Sequence, residues 1–512
     1  MSKTIKKLFA LLLAVVMVMG MISGCGSKAQ ETPATTVAAG DEPAAETPKA
    51  PEDYPTIKLA LMCLAEPADR VMVEEALSAI TREKIGCNVE IVPILFGNMD
   101  QQMSLLLSGG DDMLDVYFAG RWSNLSNVVT NGQAIAIDEY IAPYADEIIS
   151  VLGEGVYKCG EIGGVMYGIP RYLNFAGGPV YTLRKDVADR YGISNGDSMT
   201  LEELTALFRQ MRADYPDAAL VGTSANGINN QPFVSPVDAL GDLNYLGVVM
   251  PGDDMTVVNY YATPEYREMI GFFKEWKEIG ITMADPLNVV DSPSDYLPSG
   301  KCLGMFAIHY SAAANGDYAS LNYGVDCVSV TVMDQVVSAP DWWYCISPTC
   351  KNPQEAAGLL YLMATDPEVS NILCNGLEGV HYVLREDGTA GYPEGKDMMN
   401  SGWAMGSSWS QLNCTLSIPF ESAPNYFEEI ITSNQNADYS PAFGFAFDST
   451  PVATQMAACI NVVNRYRPAL ECGIPADMDA MYEEFLAALE AAGINDIIAE
   501  KQRQLDIFLE SK

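Results

Sequence analysis

The residues that could carry covalent or acid–base chemistry are few and poorly spaced for it. Histidine occurs twice, at His309 and His381, which argues against both a histidine triad and a His-rich metal site. There is no Gly-Lys-Ser phosphate loop and no nucleophile elbow between a strand and a helix. Asp111-Asp112 and Asp253-Asp254 have the residue types of a glycosidase acid and base. With 67 Asp and Glu in the chain such neighbours arise by chance, and Asp253-Asp254 beside Gly252 reads as a turn. Neither pair sits in the spaced loop of oxygen ligands that calcium requires. The 12 cysteines include no pair with the two-residue gap of a zinc knuckle or thioredoxin-like motif. Many lie in apolar runs, as small buried hydrophobes do. The composition points to binding rather than turnover.

One cysteine stands apart. Lys3, Lys6 and Lys7 precede an almost unbroken apolar run from Leu8 to Met21, followed by Ile22-Ser23-Gly24-Cys25. The run is shorter than the roughly 20 residues a membrane span needs and fits the apolar region of a secretory signal. Small residues ahead of a cysteine at this place resemble a bacterial lipobox. That resemblance implies diacylation of Cys25, including palmitate, and its exposure as the first mature residue. From Gly26 to Pro55 the chain is rich in Ala, Thr, Pro and Glu. Such a segment cannot bury enough surface to offset its chain entropy. As a flexible spacer, about 30 residues reach on the order of 30 Å.

The remaining chain, Tyr54 to Lys512, is long enough for two or three domains. A hydrophobic fraction of 49% supplies a core, and no later run is apolar for long enough to span a membrane. The formal charge is −38, and cleavage before Cys25 removes only lysines. A phosphate backbone is repelled by such a surface, so nucleic acid is excluded as a partner.

The elements that must position any site can be read from periodicity. Thr56 to Leu64 alternates as a strand, Asp69 to Ile85 is helical, and Asn88 to Leu95 is a second strand. A helix over Met99 to Leu107 and a strand over Leu114 to Phe118 complete a β-α-β-α-β start, which predicts a parallel sheet with crossover helices. Thr200 with Glu203 forms a capping box. Thr263-Pro264, Asn352-Pro353 and Asp366-Pro367 each start a helix. Strands recur at Leu303 to Ile308, Cys327 to Val332 and Tyr344 to Ser347. The C-terminus is helical over Val452 to Tyr466, Met478 to Ala491 and Ile494 to Leu509. Trp276 sits at core spacing within a helix.

The order of these elements resembles the family 1 extracellular solute-binding proteins of bacterial ABC importers. The likeness is carried by Met103–Gly110 followed by Asp115-Val116, by Gly164-Val165-Met166-Tyr167-Gly168-Ile169-Pro170, by Leu183-Arg184-Lys185-Asp186 with Tyr191-Gly192-Ile193, and by Ser299–Phe306. Gly444–Asp448, Asn464-Arg465-Tyr466 and Ala492-Gly493-Ile494 with Glu500–Leu505 resemble a lipoprotein subgroup with an uncharacterised C-terminal module. The resemblance implies an α/β, two-lobed periplasmic-binding-protein-like fold with interlobe hinge crossovers. The partition it implies is a signal peptide at 1–24 and a lipidated disordered linker at 25–55. Lobe one is then 56–172 with 301–345, lobe two is 173–300 with 346–440, and 441–512 is a helical module packed on the lobes. The implied function is a non-enzymatic, lipid-anchored receptor on the extracellular face of the membrane. It is a monomer without cofactor that hands an oligosaccharide to ABC permease subunits. A secreted glycoside hydrolase and a receptor for peptides or other solutes are the alternatives.

A neutral sugar presents hydroxyl groups and flat C–H faces, so its site needs rigid aromatic rings and planar polar groups. Arg121 and Trp122 follow the strand ending at Phe118, where ligands gather in open α/β sheets. Trp122 either lines the cleft or caps the lobe core. The resemblance places Arg171, Tyr172 and Asn174 near the first crossover, and His309 and Tyr310 in a ligand loop or a simple turn. Asp341-Trp342-Trp343 lies near the last crossover. Strand neighbours alternate in direction, so one of Trp342 and Trp343 is expected in the cleft and the other in the core. Glu378, His381 and Tyr382 form a loop element recurrent in the subgroup, whose Glu either accepts sugar hydroxyls or caps the loop. Trp403 and Trp409 flank Gly406-Ser407-Ser408, a loop able to cover the site. The lipobox yields a separable test. Cys25→Ser should move the chain from the membrane fraction to the soluble fraction with ligand affinity unchanged, and lost affinity would mean the anchor does more than tether.

Overall fold

The computed structural model describes residues 50–510 apart from 109–112, 121–122, 176, 224–236, 243, 253, 290–291, 333–336, 338–339, 341 and 404–409. The chain begins β1 (Thr56–Cys63), α1 (Arg70–Ile85), β2 (Asn88–Leu95), α2 (Met99–Ser108) and β3 (Val116–Gly120). It continues through β4 (Gly168–Pro170), β5 (Gly178–Arg184), α3 (Leu201–Asp214), α4 (Pro264–Glu278), β6 (Gly304–His309), α5 (Ala312–Asn322), β7 (Cys327–Thr331) and β8 (Trp342–Ile346). It closes with α6 (Pro353–Thr365), α7 (Pro367–Asn375), α8 (Tyr426–Gln435), α9 (Ala453–Leu470), α10 (Met478–Ala492) and α11 (Ile494–Glu510).

The first lobe is built on a five-stranded sheet in the order β2-β1-β3-β8-β4. β1 and β2 pair in parallel from Thr56↔Asn88 to Cys63↔Leu95, and β8 runs antiparallel to both β3 and β4. Helices cover both faces, so the strands are apolar almost throughout, as buried parallel strands must be. α1 ends at Gly86 in the left-handed conformation (φ 74°), which a side chain would disfavour.

The second lobe is built on the antiparallel sheet β6-β5-β7. Its core is aromatic. Tyr181 packs edge-on to Phe208 at 5.1 Å, and Trp276 stacks on Phe306 at 5.6 Å. The Trp276 Nε1–H donates to Thr205 Oγ1 at 2.8 Å, so this indole is structural, as its spacing predicts. The expected caps are present. Thr200 and Glu203 form a reciprocal capping box, and the Thr263 hydroxyl accepts from the Tyr266 N–H with Pro264 in the first turn.

The partition between lobes differs from the expectation. Segment 301–345 is expected in lobe one; residues 342–345 lie there in β8, but β6 and β7 pair with β5 of lobe two, from Gly304↔Leu183 and Cys327↔Arg184. Glycine at 304 permits this register, because a Cβ there would lie 2.2 Å from the Tyr181 phenol oxygen. Segment 346–440 was expected in lobe two, but α6 and α7 pack on lobe one. Ala356, Ala357, Leu359 and Leu360 are fully buried in its core, and Gly358 lies against Ile85. Residues 441–510 meet both lobes, as Phe443 packs on the first-lobe core and the Ser449 hydroxyl donates to Asn127 Oδ1 at 3.1 Å, but most of the module is embedded in the second lobe. Phe445, Phe447, Tyr482 and Phe485 are part of the same core as Tyr261 and Trp276. A buried ammonium fastens this module: Lys501 Nζ donates to the carbonyls of Leu246 and Gly247 at 2.9 Å and lies 3.2 Å from Asp242 Oδ2. Burial pushes the lysine's pKa down, and Asp242 opposes that shift.

Three passages of chain cross between the lobes, after β4, after β7 and after α8. They are tied side to side. The Asn434 side chain, itself buried, donates to the Leu173 carbonyl at 2.6 Å and accepts from the Phe175 N–H at 2.9 Å. The Tyr439 hydroxyl donates to the Asn434 carbonyl at 2.8 Å. Val337 bridges to Tyr439, donating to the Asp438 carbonyl and accepting from the Ser440 N–H at 3.0 Å. Leucine at 434 would keep the size of the side chain but strand the Leu173 carbonyl and the Phe175 N–H. Asn434→Leu should therefore lower stability by about 1–3 kcal/mol in urea denaturation. An unchanged midpoint would remove Asn434 as the tie.

Candidate binding site

The carboxyl ends of β3 and β4 and the start of β8 form one edge of the first sheet, facing the crossovers. The end of β6 and the start of β5 form the matching edge of the second. The candidate site is the space between these edges and its flanks.

Arg121, Trp122 and Trp409 lie outside the described residues, as does Cys25. Trp342 and Trp343 alternate across the sheet, but both are in the core, 1% and 5% exposed. The expectation that one faces the cleft is not met, because both faces of β8 are covered. Trp342 stacks on Phe118 at 4.8 Å under the Arg171 guanidinium, 5.7 Å from the ring centre. The Trp343 Nε1–H donates to the Cys159 carbonyl at 2.8 Å. Trp403 is also buried, its indole N–H donating to the Leu373 carbonyl at 3.3 Å. Tyr172 is buried edge-on to Phe175 at 5.5 Å, and its N–H donates to the Leu412 carbonyl.

The Glu378–Tyr382 element is a self-locked loop. His381 is buried, its Nδ1 accepting from the Leu377 N–H at 2.8 Å and its Nε2 lying 3.6 Å from Asp69 Oδ2. Burial pushes the imidazole's pKa down, against the pull of Asp69. Tyr382 is buried and its hydroxyl accepts from Asn371 at 3.0 Å. Only Glu378 of the three is exposed.

Asn174, His309 and Tyr310 come to the lobe boundary. A Cβ at Gly177 would lie 2.8 Å from Ile308 and 3.3 Å from the Asn174 amide nitrogen, so glycine lets the first crossover close on the end of β6. His309 Nδ1 is 2.9 Å from the Ser311 carbonyl, the turn role expected as its alternative. Burial pushes its pKa down to about 4, so the ring is neutral at pH 7. The Tyr310 hydroxyl lies 3.4 Å from the Tyr426 carbonyl and 3.3 Å from Glu429 Oε2, a bridge from the second lobe to α8 on the first.

A cavity of about 560 Å³ opens beside this bridge, within the size range of small-molecule sites. Tyr310, Asp317 and Tyr318 line it from the second lobe, and Tyr426, Glu428 and Glu429 from α8. α8 rests on the first lobe through Phe427 and Ile430, which pack with Leu173, Cys374 and Cys414. With those residues inward, Tyr426, Glu429 and Ser433 share the adjoining helix face. Burial pushes the phenols of Tyr310 and Tyr426 up in pKa, so both remain neutral donors. Apart from Tyr310, sequence reasoning missed these residues. The face left polar on α8 was the available signal, but nothing in the sequence aligns it with α5.

Among the described residues no group of three or more His, Cys, Asp or Glu is arranged to hold a metal ion. Asp254 is a turn residue whose Oδ1 accepts from Thr256. The eleven cysteines from Cys63 to Cys472 are free thiols, all buried except the half-buried Cys350.

Two α/β lobes joined by three crossovers are the fold of the two-domain solute-binding proteins, and the resemblance seen in the sequence holds over the folded chain. Its particular relatives are bacterial. A "Carbohydrate ABC transporter substrate-binding protein" of Streptococcus pneumoniae serotype 4 is 23% identical over 452 residues, covering 85% of this chain and 87% of the relative. The crystal structure of the N-glycan transport solute binding protein NgtS from Streptococcus pneumoniae matches with a TM-score of 0.75 and 21% identity, covering 89% of this chain and 99% of NgtS. The substrate binding protein FusA of the same organism, in complex with kestose, matches with a TM-score of 0.62 and 15% identity over 89% of this chain and 100% of FusA. Residues 441–510 match the model described as Domain of unknown function (DUF3502).

Proposed function

We propose that this chain is the extracellular, membrane-tethered receptor of an ABC importer, which captures an oligosaccharide between its lobes and delivers it to the permease subunits. It is a binding protein and not an enzyme. The observation that carries the reading is the interlobe cavity walled by tyrosine rings and carboxylates from both lobes. Tyrosine offers a flat face to sugar C–H groups and a hydroxyl to their oxygens, and the carboxylates accept sugar hydroxyls. Asn174 lies at the first crossover beside Gly177 and the end of β6.

A ligand that touches both walls binds the closed arrangement better than the open one and shifts the population toward it. Lipid on Cys25 and the spacer to residue 55 keep the monomeric receptor near its permease. The fold relatives named for N-glycan and carbohydrate transport support the substrate class. The peptide-receptor alternative would use Arg121, Arg171 or Arg184 to hold a carboxylate; Arg121 lies outside the described residues, Arg171 stacks over Trp342, and Arg184 is already paired with Asp186 and the Leu297 carbonyl.

The test is a thermal-shift screen of the mature chain against Man5GlcNAc, N-acetylchitopentaose, kestose, maltopentaose and a set of pentapeptides. A glycan at 100 times its dissociation constant adds about 2.7 kcal/mol of stability, and a clear upward shift is expected with at least one. Shifts with peptides and none with carbohydrates would reject the substrate class.

A further inference from the structure

We propose that the cavity between α5 and α8 is a charge filter: it accepts a neutral or amine-bearing sugar unit and turns away glycans carrying carboxylates. The proposal rests on the reading of the chain as a glycan receptor and names the class of glycan.

Three carboxylates, Asp317, Glu428 and Glu429, line the cavity from both lobes, and none of its described lining residues is Lys, Arg or His. His309, just behind Tyr310, is held neutral by burial. Arg385 approaches from the side of Glu421 but is paired with that carboxylate at 2.5 Å. The carboxylates are only partly satisfied from within. Glu429 accepts from Asn425 at 2.6 Å and lies 3.3 Å from the Tyr310 hydroxyl, and Asp317 accepts from Asn195 at 3.1 Å. Each oxygen retains lone-pair capacity that a hydroxyl or ammonium can fill and a second carboxylate cannot.

Ser422 lines the same cavity, is 6% exposed, and its hydroxyl has no hydrogen-bond partner in the protein. A bare metal ion does not suit the place, because no described group of three ligands converges. The rings of Tyr310, Tyr318 and Tyr426 instead supply the flat surface that a pyranose covers.

The experiment is calorimetry on the mature chain. The probes are the glycan of the screening panel with the largest thermal shift and the same glycan with its primary alcohols oxidised to carboxylates. The oxidised form should bind at least tenfold more weakly at low salt, about 1.4 kcal/mol. The gap should shrink at about 0.5 M salt, where the Debye length falls below about 5 Å. Asp317→Asn/Glu428→Gln/Glu429→Gln should close it. The pair Asp317→Asn/Glu428→Gln, both exposed, should narrow it even if the triple variant folds poorly. Equal affinity of the native chain for both probes, or a gap that the variants leave unchanged, overturns the filter while the receptor reading stands. Absence of binding by every glycan in the panel overturns both.

Discussion

Everything this molecule can do as a receptor depends on how its three crossovers are tied together. Asn434 holds the first from inside, through the Leu173 carbonyl and the Phe175 N–H. Val337 joins the second to the third through Asp438 and Ser440. The Asn434 side chain is buried, so releasing its two bonds leaves polar groups poorly satisfied and is costly. The three passages therefore lie joined side by side at the lobe boundary, and the contact of Tyr310 with Glu429 links the two lobes a second time.

The same economy explains where the polar chemistry lies. The four described tryptophans serve the cores of the two lobes, because a buried aromatic ring removes about 150–250 Å² from water. Trp276, Trp342, Trp343 and Trp403 are all enclosed. The lobe boundary is left to tyrosines and carboxylates, which tolerate water when the cleft is open and can pair with a ligand when it closes. The acidic surface, with a net charge of −38, surrounds a cavity that carries the same sign.

Local structure was legible in the sequence because its causes are local. The run Asn88 to Leu95 is a strand over its whole expected length, and Thr200 and Thr263 cap the helices that follow them. The two-lobed architecture was legible through the order of elements. The ownership of segments was not. β6 and β7 are short apolar strands that periodicity alone fits to either sheet, and their place follows from a tertiary fact, the closeness of Gly304 to Tyr181. The site was less legible still. Residue type favoured tryptophan, whereas the cavity joins Tyr310 to Glu429 across 119 positions of chain. Of the named candidates, Asn174, His309 and Tyr310 reach the boundary. Tyr172 lines a separate cavity beside Asn434 and Tyr439, and Trp342, Trp343, His381, Tyr382 and Trp403 are turned inward.

A glycan that bridges the two walls should close the hinge. Small-angle X-ray scattering of the mature chain, with and without the saturating glycan, measures this directly. Closure should give a smaller radius of gyration in the bound state. Binding proven by calorimetry with an unchanged scattering profile would contradict it.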